Sequence, residues 1–183
     1  MKRRALWVIA VMVAIPVAAL GYTKAQPSNH GTPPEMAAEA DRADRIIVDK
    51  PARRLQLLRD GAVIGEYEIS LGAAPDGHKT REGDEKTPEG EYMIDWRNAR
   101  SVAHLSLHIS YPNAADTDAA SARGESPGGA IMIHGMLNGW GWLGGLHRRW
   151  DWTNGCIAVT NAEMRDIWSR VPDGTPIEIR GAT

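Results

Sequence analysis

Between residues 61 and 71 the chain alternates. Val63, Gly65, Tyr67, Ile69 and Leu71 fall on one side, Glu66, Glu68 and Ser70 on the other. A period of two belongs to a strand with one buried and one wet face, and no helix satisfies it. Asp60-Gly61 stands just before it, a pair that closes two-residue hairpins because both positions tolerate positive φ. Residues 55–59 supply the partner strand. A lone hairpin is marginal in water, so more strands are expected. The sequence offers them at residues 46–48, 91–96, 102–110 and 177–179, with a short buried strand at 130–134. Residues 72–86 and 111–129 read as loops. One helix is clear: Thr160 and Glu163 have capping-box spacing. Met164, Ile167, Trp168 and Val171 then form an apolar face, and Pro172 and Gly174 stop it. The expectation is a mainly β single domain with one clear helix after residue 160.

The N-terminus has a different character. Lys2, Arg3 and Arg4 precede an uncharged, mostly apolar run over residues 5–20 with Pro16 inside it, the layout of a secretory signal. An uncleaved anchor is the alternative, and the only route by which the chain would touch a membrane. A polar stretch containing Pro27, Pro33 and Pro34 follows and reads as a tether. The organisation is therefore residues 1–25 as signal peptide or N-terminal anchor, 26–44 as flexible tether and 45–183 as the folded domain. That puts the domain in the periplasm or cell envelope. A formal net charge of -2 gives no basic excess for a nucleic-acid partner.

Cys156 is the only cysteine. An exported chain with one thiol has no internal disulfide, so the thiol bridges a dimer, fills a core or reacts. Gly155 before it allows a tight turn and leaves the sulfur uncrowded. Backbone N–H groups around such a turn can converge on the oxygen of a tetrahedral intermediate. A thiol attacks as thiolate and needs a base. Six histidines compete. His30 lies in the tether and His78 in a loop. His104 and His108 are four apart on an expected strand, a spacing that makes a zinc face only on a helix, so no metal site is read. His147 lies in the loop before Cys156. His134 ends a buried strand, which holds a side chain more rigidly than a loop does, and is preferred. Taken one at a time, a cysteine after glycine is more often a buried small residue, and a histidine at a strand end a packing residue.

Together these residues form a pattern. Ile133-His134-Gly135, followed by Thr153-Asn154-Gly155-Cys156-Ile157, resembles the His-Gly and Ser/Thr-x-Gly-Cys motifs of the L,D-transpeptidase catalytic domain (the YkuD-like family). Thr87-Pro88-Glu89-Gly90-Glu91-Tyr92 is similar to that family's Thr-Pro-x-Gly-x-Tyr/Phe segment. The resemblance runs from about residue 45 to residue 180. It departs at Asn154, where the family usually has His, and at Ala158, where Arg is common. The stretch from His134 to Thr153 is also longer than usual.

The resemblance implies a sandwich-like or barrel-like β domain that needs no cofactor and no metal. Cys156 would be the nucleophile, His134 the general base and then acid, and the Gly155 and Cys156 amides the oxyanion donors. The implied substrate is a peptidoglycan stem peptide, cut between diaminopimelate and the terminal D-Ala. The acyl group would pass to an amine of a second stem or of an envelope protein. Water as acceptor would make the chain a carboxypeptidase or amidase. Thr153, Asn154, Gly135, His147 and Arg148 are the substrate-binding candidates near the motif, with Arg148 or Arg149 replacing the missing arginine. His108 and Tyr111 are substrate-facing candidates at the cleft border. Trp140, Trp142, Trp150 and Trp152 crowd one glycine-rich loop, which reads as a lid or sugar platform, or as packing in a domain without Phe. A sortase-like enzyme would want an arginine closely downstream of the cysteine, where Ala158 and a capped helix stand. A non-catalytic peptidoglycan-binding module is the rival that is not an enzyme.

Overall fold

The structure is a computed structural model that describes residues 31–182. The expected signal or anchor, the first tether residues and His30 lie outside the described residues. Eight strands form one curled sheet: β1 (Arg45–Asp49), β2 (Arg54–Arg59), β3 (Ala62–Glu68), β4 (Gly90–Asn98), β5 (Ser106–Ile109), β6 (Met132–His134), β7 (Ile157–Ala158) and β8 (Pro176–Arg180). Their order is β3-β2-β1-β8-β4-β5-β6-β7. The two edges then meet. Ser70, just beyond β3, exchanges both backbone hydrogen bonds with Ala158 of β7, at 3.0 and 2.9 Å. That bridge curls the mainly β domain toward a barrel by joining the two edges at one point.

The hairpin forms as its turn residues require: Asp60 and Gly61 both take positive φ, at 50° and 78°. Pairing slips between Leu57 and Leu58. A bulge of this kind turns side chains to the other face. Val63, expected inside, is consequently 52% exposed. Tyr67, Ile69 and Leu71 are buried as the alternation requires. Ser70 is buried as well, because the edge bridge carries it inward.

Ile46, Val48, Leu57, Ile94, Leu107 and Ile133 fill the core with no measurable exposure. Each such side chain contributes about 1.5–3 kcal/mol relative to exposure. The helix α2 (Asn161–Arg170) buries Met164, Ile167 and Trp168 against it. Its capping box closes: Thr160 accepts from the Glu163 amide, and Glu163 accepts from the Thr160 amide.

Two local expectations differ from the structure. Residues 111–129 contain a second helix, α1 (Ala114–Ala122), capped reciprocally by Asn113 and Asp116. Only Ala120 of it is buried, so it has no apolar stripe to announce it. The strand expected at residues 102–110 begins only at Ser106, since His104 takes φ 65°. His104 and His108 therefore share no strand. Residues 31–44 run along the domain, with the amides of Gly31, Ala37 and Ala43 donating to His104, Ser169 and Arg170 carbonyls. No helix among the described residues is long and apolar enough to cross a membrane.

Candidate active site

β6 and β7 run parallel, with Ile133 opposite Ile157 and His134 opposite Ala158. Both isoleucines are fully buried in the core. Pleating then sends their neighbours, His134 and Cys156, to the other face. Continuing the register sets Cys156 beside Met132, two residues before His134. Strand spacing and rise put the Cα atoms of Cys156 and His134 roughly 8 Å apart on one face. Both residues line one cleft of about 520 Å³.

The turn before Cys156 is built by Thr153 and Gly155. Thr153 Oγ1 donates to the Cys156 carbonyl at 2.7 Å and accepts from the Gly155 amide at 3.2 Å. That bond corrects one expectation: the Gly155 N–H is turned back on Thr153 and not toward the cleft. Gly155 is needed for its shape. Its φ is 117°, and a Cβ there would lie 2.5 Å from the Lys86 carbonyl oxygen and 3.2 Å from Ile131 Cδ1. Gly155→Ala is expected to cost about 2–3 kcal/mol from strain and overlap. Chemical denaturation should show it, and activity should fall with the displaced sulfur. The turn is also pinned from behind. Arg53 holds Asp151 through two nitrogens at 2.7–3.2 Å, and Asp151 Oδ1 accepts from the Leu71 amide at 2.8 Å.

His134 is 8% exposed. Its Nδ1 lies 2.6 Å from the Gly135 carbonyl oxygen. A carbonyl only accepts, so Nδ1 carries the proton and Nε2 is left unprotonated. Gly135 is required there, since a Cβ would meet Asn161 Oδ1 at 2.7 Å. The edge of Trp152 backs the imidazole, with centroids 5.9 Å apart. Burial pushes the His134 pKa below the ordinary 6.5, against the pull of the Gly135 carbonyl. Burial pushes the Cys156 thiol up, opposed by the Met132 N–H on the sulfur and the Lys79 ammonium. Both shifts favour the uncharged forms, a neutral thiol and a neutral imidazole.

The pH dependence follows. His134 and the fully buried His147 are both shifted down, chiefly by burial. The unfolded chain binds protons near 6.5 and the fold only lower, so stability is complete above 6.5 and falls as pH drops below it. Denaturation midpoints at about pH 7.5 and about pH 5.5 should show the loss. The acid limb of kcat/KM should likewise lie below 6.5.

The remaining candidates divide. Thr153 and Asn154 line the cleft. His147, Arg148, His108 and Tyr111 do not. His147 Nδ1 lies 3.0 Å from Ser70 Oγ in the interior. Arg148 pairs with Glu163 and, at 3.2 Å, with Glu68. Arg149 is exposed. His108 lies 2.6 Å from Asp95 and stacks on Trp96. The Tyr111 hydroxyl donates to the Pro127 carbonyl at 2.9 Å. In their place the cleft is lined by Arg100, Val102, Ser106, Ala130, Met132 and Trp152. Strand period could have found Met132, two before His134. Arg100 and Val102 lie in a turn, where no periodicity marks them.

The L,D-transpeptidase catalytic domain family model (YkuD) matches residues 43–179. Among solved structures, the helical cell shape determining protein Pgp2 from Campylobacter jejuni aligns at 25% identity and TM-score 0.59, over 76% of this chain and 48% of its own. Bd1075 from Bdellovibrio bacteriovorus aligns at 25% identity and TM-score 0.51, over 80% and 50%. An L,D-transpeptidase from Mycobacterium smegmatis shares the fold at 14% identity and TM-score 0.50, over 75% and 58%. The chain thus spans about half the length of these proteins. No curated protein matches it.

Proposed function

The chain belongs to the L,D-transpeptidase catalytic domain family, and on that premise we propose that it is an exported cysteine acyltransferase of peptidoglycan stem peptides. The observation that carries this reading is the β6–β7 register, which sets Cys156 and His134 on one face of one cleft. His134 Nε2 takes the thiol proton as the sulfur attacks the diaminopimelate carbonyl. The Cys156 amide, rather than that of Gly155, faces the oxyanion. The C–N bond breaks, His134 returns the proton to the departing D-Ala amine, and a thioester remains. An acceptor amine, stripped of a proton by His134, then releases the acyl group and restores the thiol. The acceptor is a second stem's diaminopimelate or an envelope-protein lysine. Arg100 brings a cation to the cleft and takes the part of the arginine that Ala158 lacks, pairing with a stem carboxylate. Residues 1–25 deliver the domain to the periplasm as signal or anchor.

Incubation with disaccharide-tetrapeptides and mass spectrometry of the products tests this. Cross-linked dimers lacking one D-Ala support transfer. Tripeptides alone make water the acceptor and the chain a carboxypeptidase. Unchanged tetrapeptide overturns the enzymatic reading in favour of a binding module.

A further inference from the structure

A second groove adjoins the catalytic cleft and is unused by the chemistry above. It holds about 200 Å³, and its walls include Met136, Trp140, Leu143, Trp150 and Trp152 with one buried imidazole, His147. Leu137 and Trp152 line both spaces, so groove and cleft share a wall. The 3-10 segment Gly141–Arg149, broken at Gly144, carries much of one wall. The tryptophans in and beside it stand unusually proud: Trp140 and Trp150 are 54% and 53% exposed, and Trp142, stacked on Trp140 at 6.5 Å, is 74% exposed. Burying these rings would have been favourable, so their exposure marks a surface kept for a ligand.

One atom narrows the ligand. His147 is 1% exposed, and its Nε2 is buried without a hydrogen-bond partner. Its other nitrogen is occupied by Ser70 Oγ at 3.0 Å and by the Trp152 indole N–H at 3.5 Å. A buried polar nitrogen left unpaired is costly, and this one belongs to a residue that lines the groove. A purely apolar occupant, such as a lipid chain, would leave it unpaired. A hydroxyl satisfies it in either tautomer, since it both donates and accepts. The volume is below the range of about 300–1,000 Å³ typical of drug-sized ligands and suits a single six-membered ring. Flat indole walls with one hydroxyl-seeking nitrogen describe a pyranose, with C–H faces against tryptophan and hydroxyls at its rim.

We propose that the groove walled by Trp140, Trp150 and Trp152 around His147 is a saccharide subsite that seats one sugar of the glycan strand beside the catalytic cleft. Only the choice of glycan rests on the stem-peptide reading. The strand then holds its peptide at the cleft mouth, and the shared wall, Trp152, is the ring that backs His134.

Titration of the full chain with an N-acetylglucosamine tetramer, followed by tryptophan fluorescence, tests this without any stem peptide. Saturable binding is expected. Trp150→Ala should weaken it at least tenfold with an unchanged unfolding midpoint, and Trp96→Ala, on β4, should leave it unchanged. No saturation, or equal loss in both variants, overturns the proposal. So does binding to phosphatidylglycerol vesicles without sugar binding, which would make the tryptophans a membrane face. A chain that binds the tetramer but releases no D-Ala keeps this subsite and defeats the acyltransferase reading. Release of D-Ala without sugar binding does the reverse.

Discussion

Cys156→Ala is expected to lower D-Ala release from tetrapeptide stems by on the order of 10⁴-fold or more, since loss of a nucleophile removes the covalent route altogether. Folding should barely notice. The sulfur is only partly buried, and its contacts are a 3.7 Å approach to the Ala130 carbonyl and the Met132 amide. The surrounding turn is held by Thr153, Asp151 and the Ser70–Ala158 bridge, which the substitution leaves in place. An unchanged unfolding midpoint with no D-Ala released is the expected pair of results. Retained release in Cys156→Ala would mean that another group does the chemistry.

His134→Gln should cost about 10²–10⁴-fold, the usual worth of a positioned general base. Glutamine can still donate to the Gly135 carbonyl but supplies no basic nitrogen. The pH profile separates this from a merely structural defect. With His134 present, activity should hold down to below 6.5, because burial keeps the ring neutral. Without it, the thiol must ionise unaided, and burial holds its pKa above the ordinary 9.0. The variant should therefore lose the acid limb and gain rate steadily with alkalinity. A variant that is uniformly slower with the wild-type profile would reduce His134 to a packing residue.

Much of this site was legible in the sequence because local rules governed it. The Asp60-Gly61 turn, the Thr160–Glu163 box and the His134-Gly135 strand end each follow from neighbours in the chain. The family resemblance then joined His134 to Cys156. What escaped depended on long-range geometry. The β2–β3 bulge that exposes Val63 and the edge bridge that buries Ser70 are set by partners elsewhere in the fold. The fate of the Gly155 amide was decided by a side chain two residues away, Thr153, whose hydroxyl could equally have faced substrate. Arg148 looked free for substrate, but α2 and β3 bring Glu163 and Glu68 to it. Arg100 reaches the cleft from an irregular turn between β4 and β5, where no pattern distinguishes it from any surface arginine.

The central claim is that the stem peptide is held as a thioester on Cys156. Rapid acid quench of the protein with a tetrapeptide stem, followed by intact-mass and peptide mapping, tests it most directly. The expected result is an added mass equal to the tripeptide acyl group, on the peptide carrying Cys156, removed by hydroxylamine and absent from Cys156→Ala. D-Ala release in steady turnover with no adduct at Cys156 at any quench time, or an adduct on another residue, would contradict it.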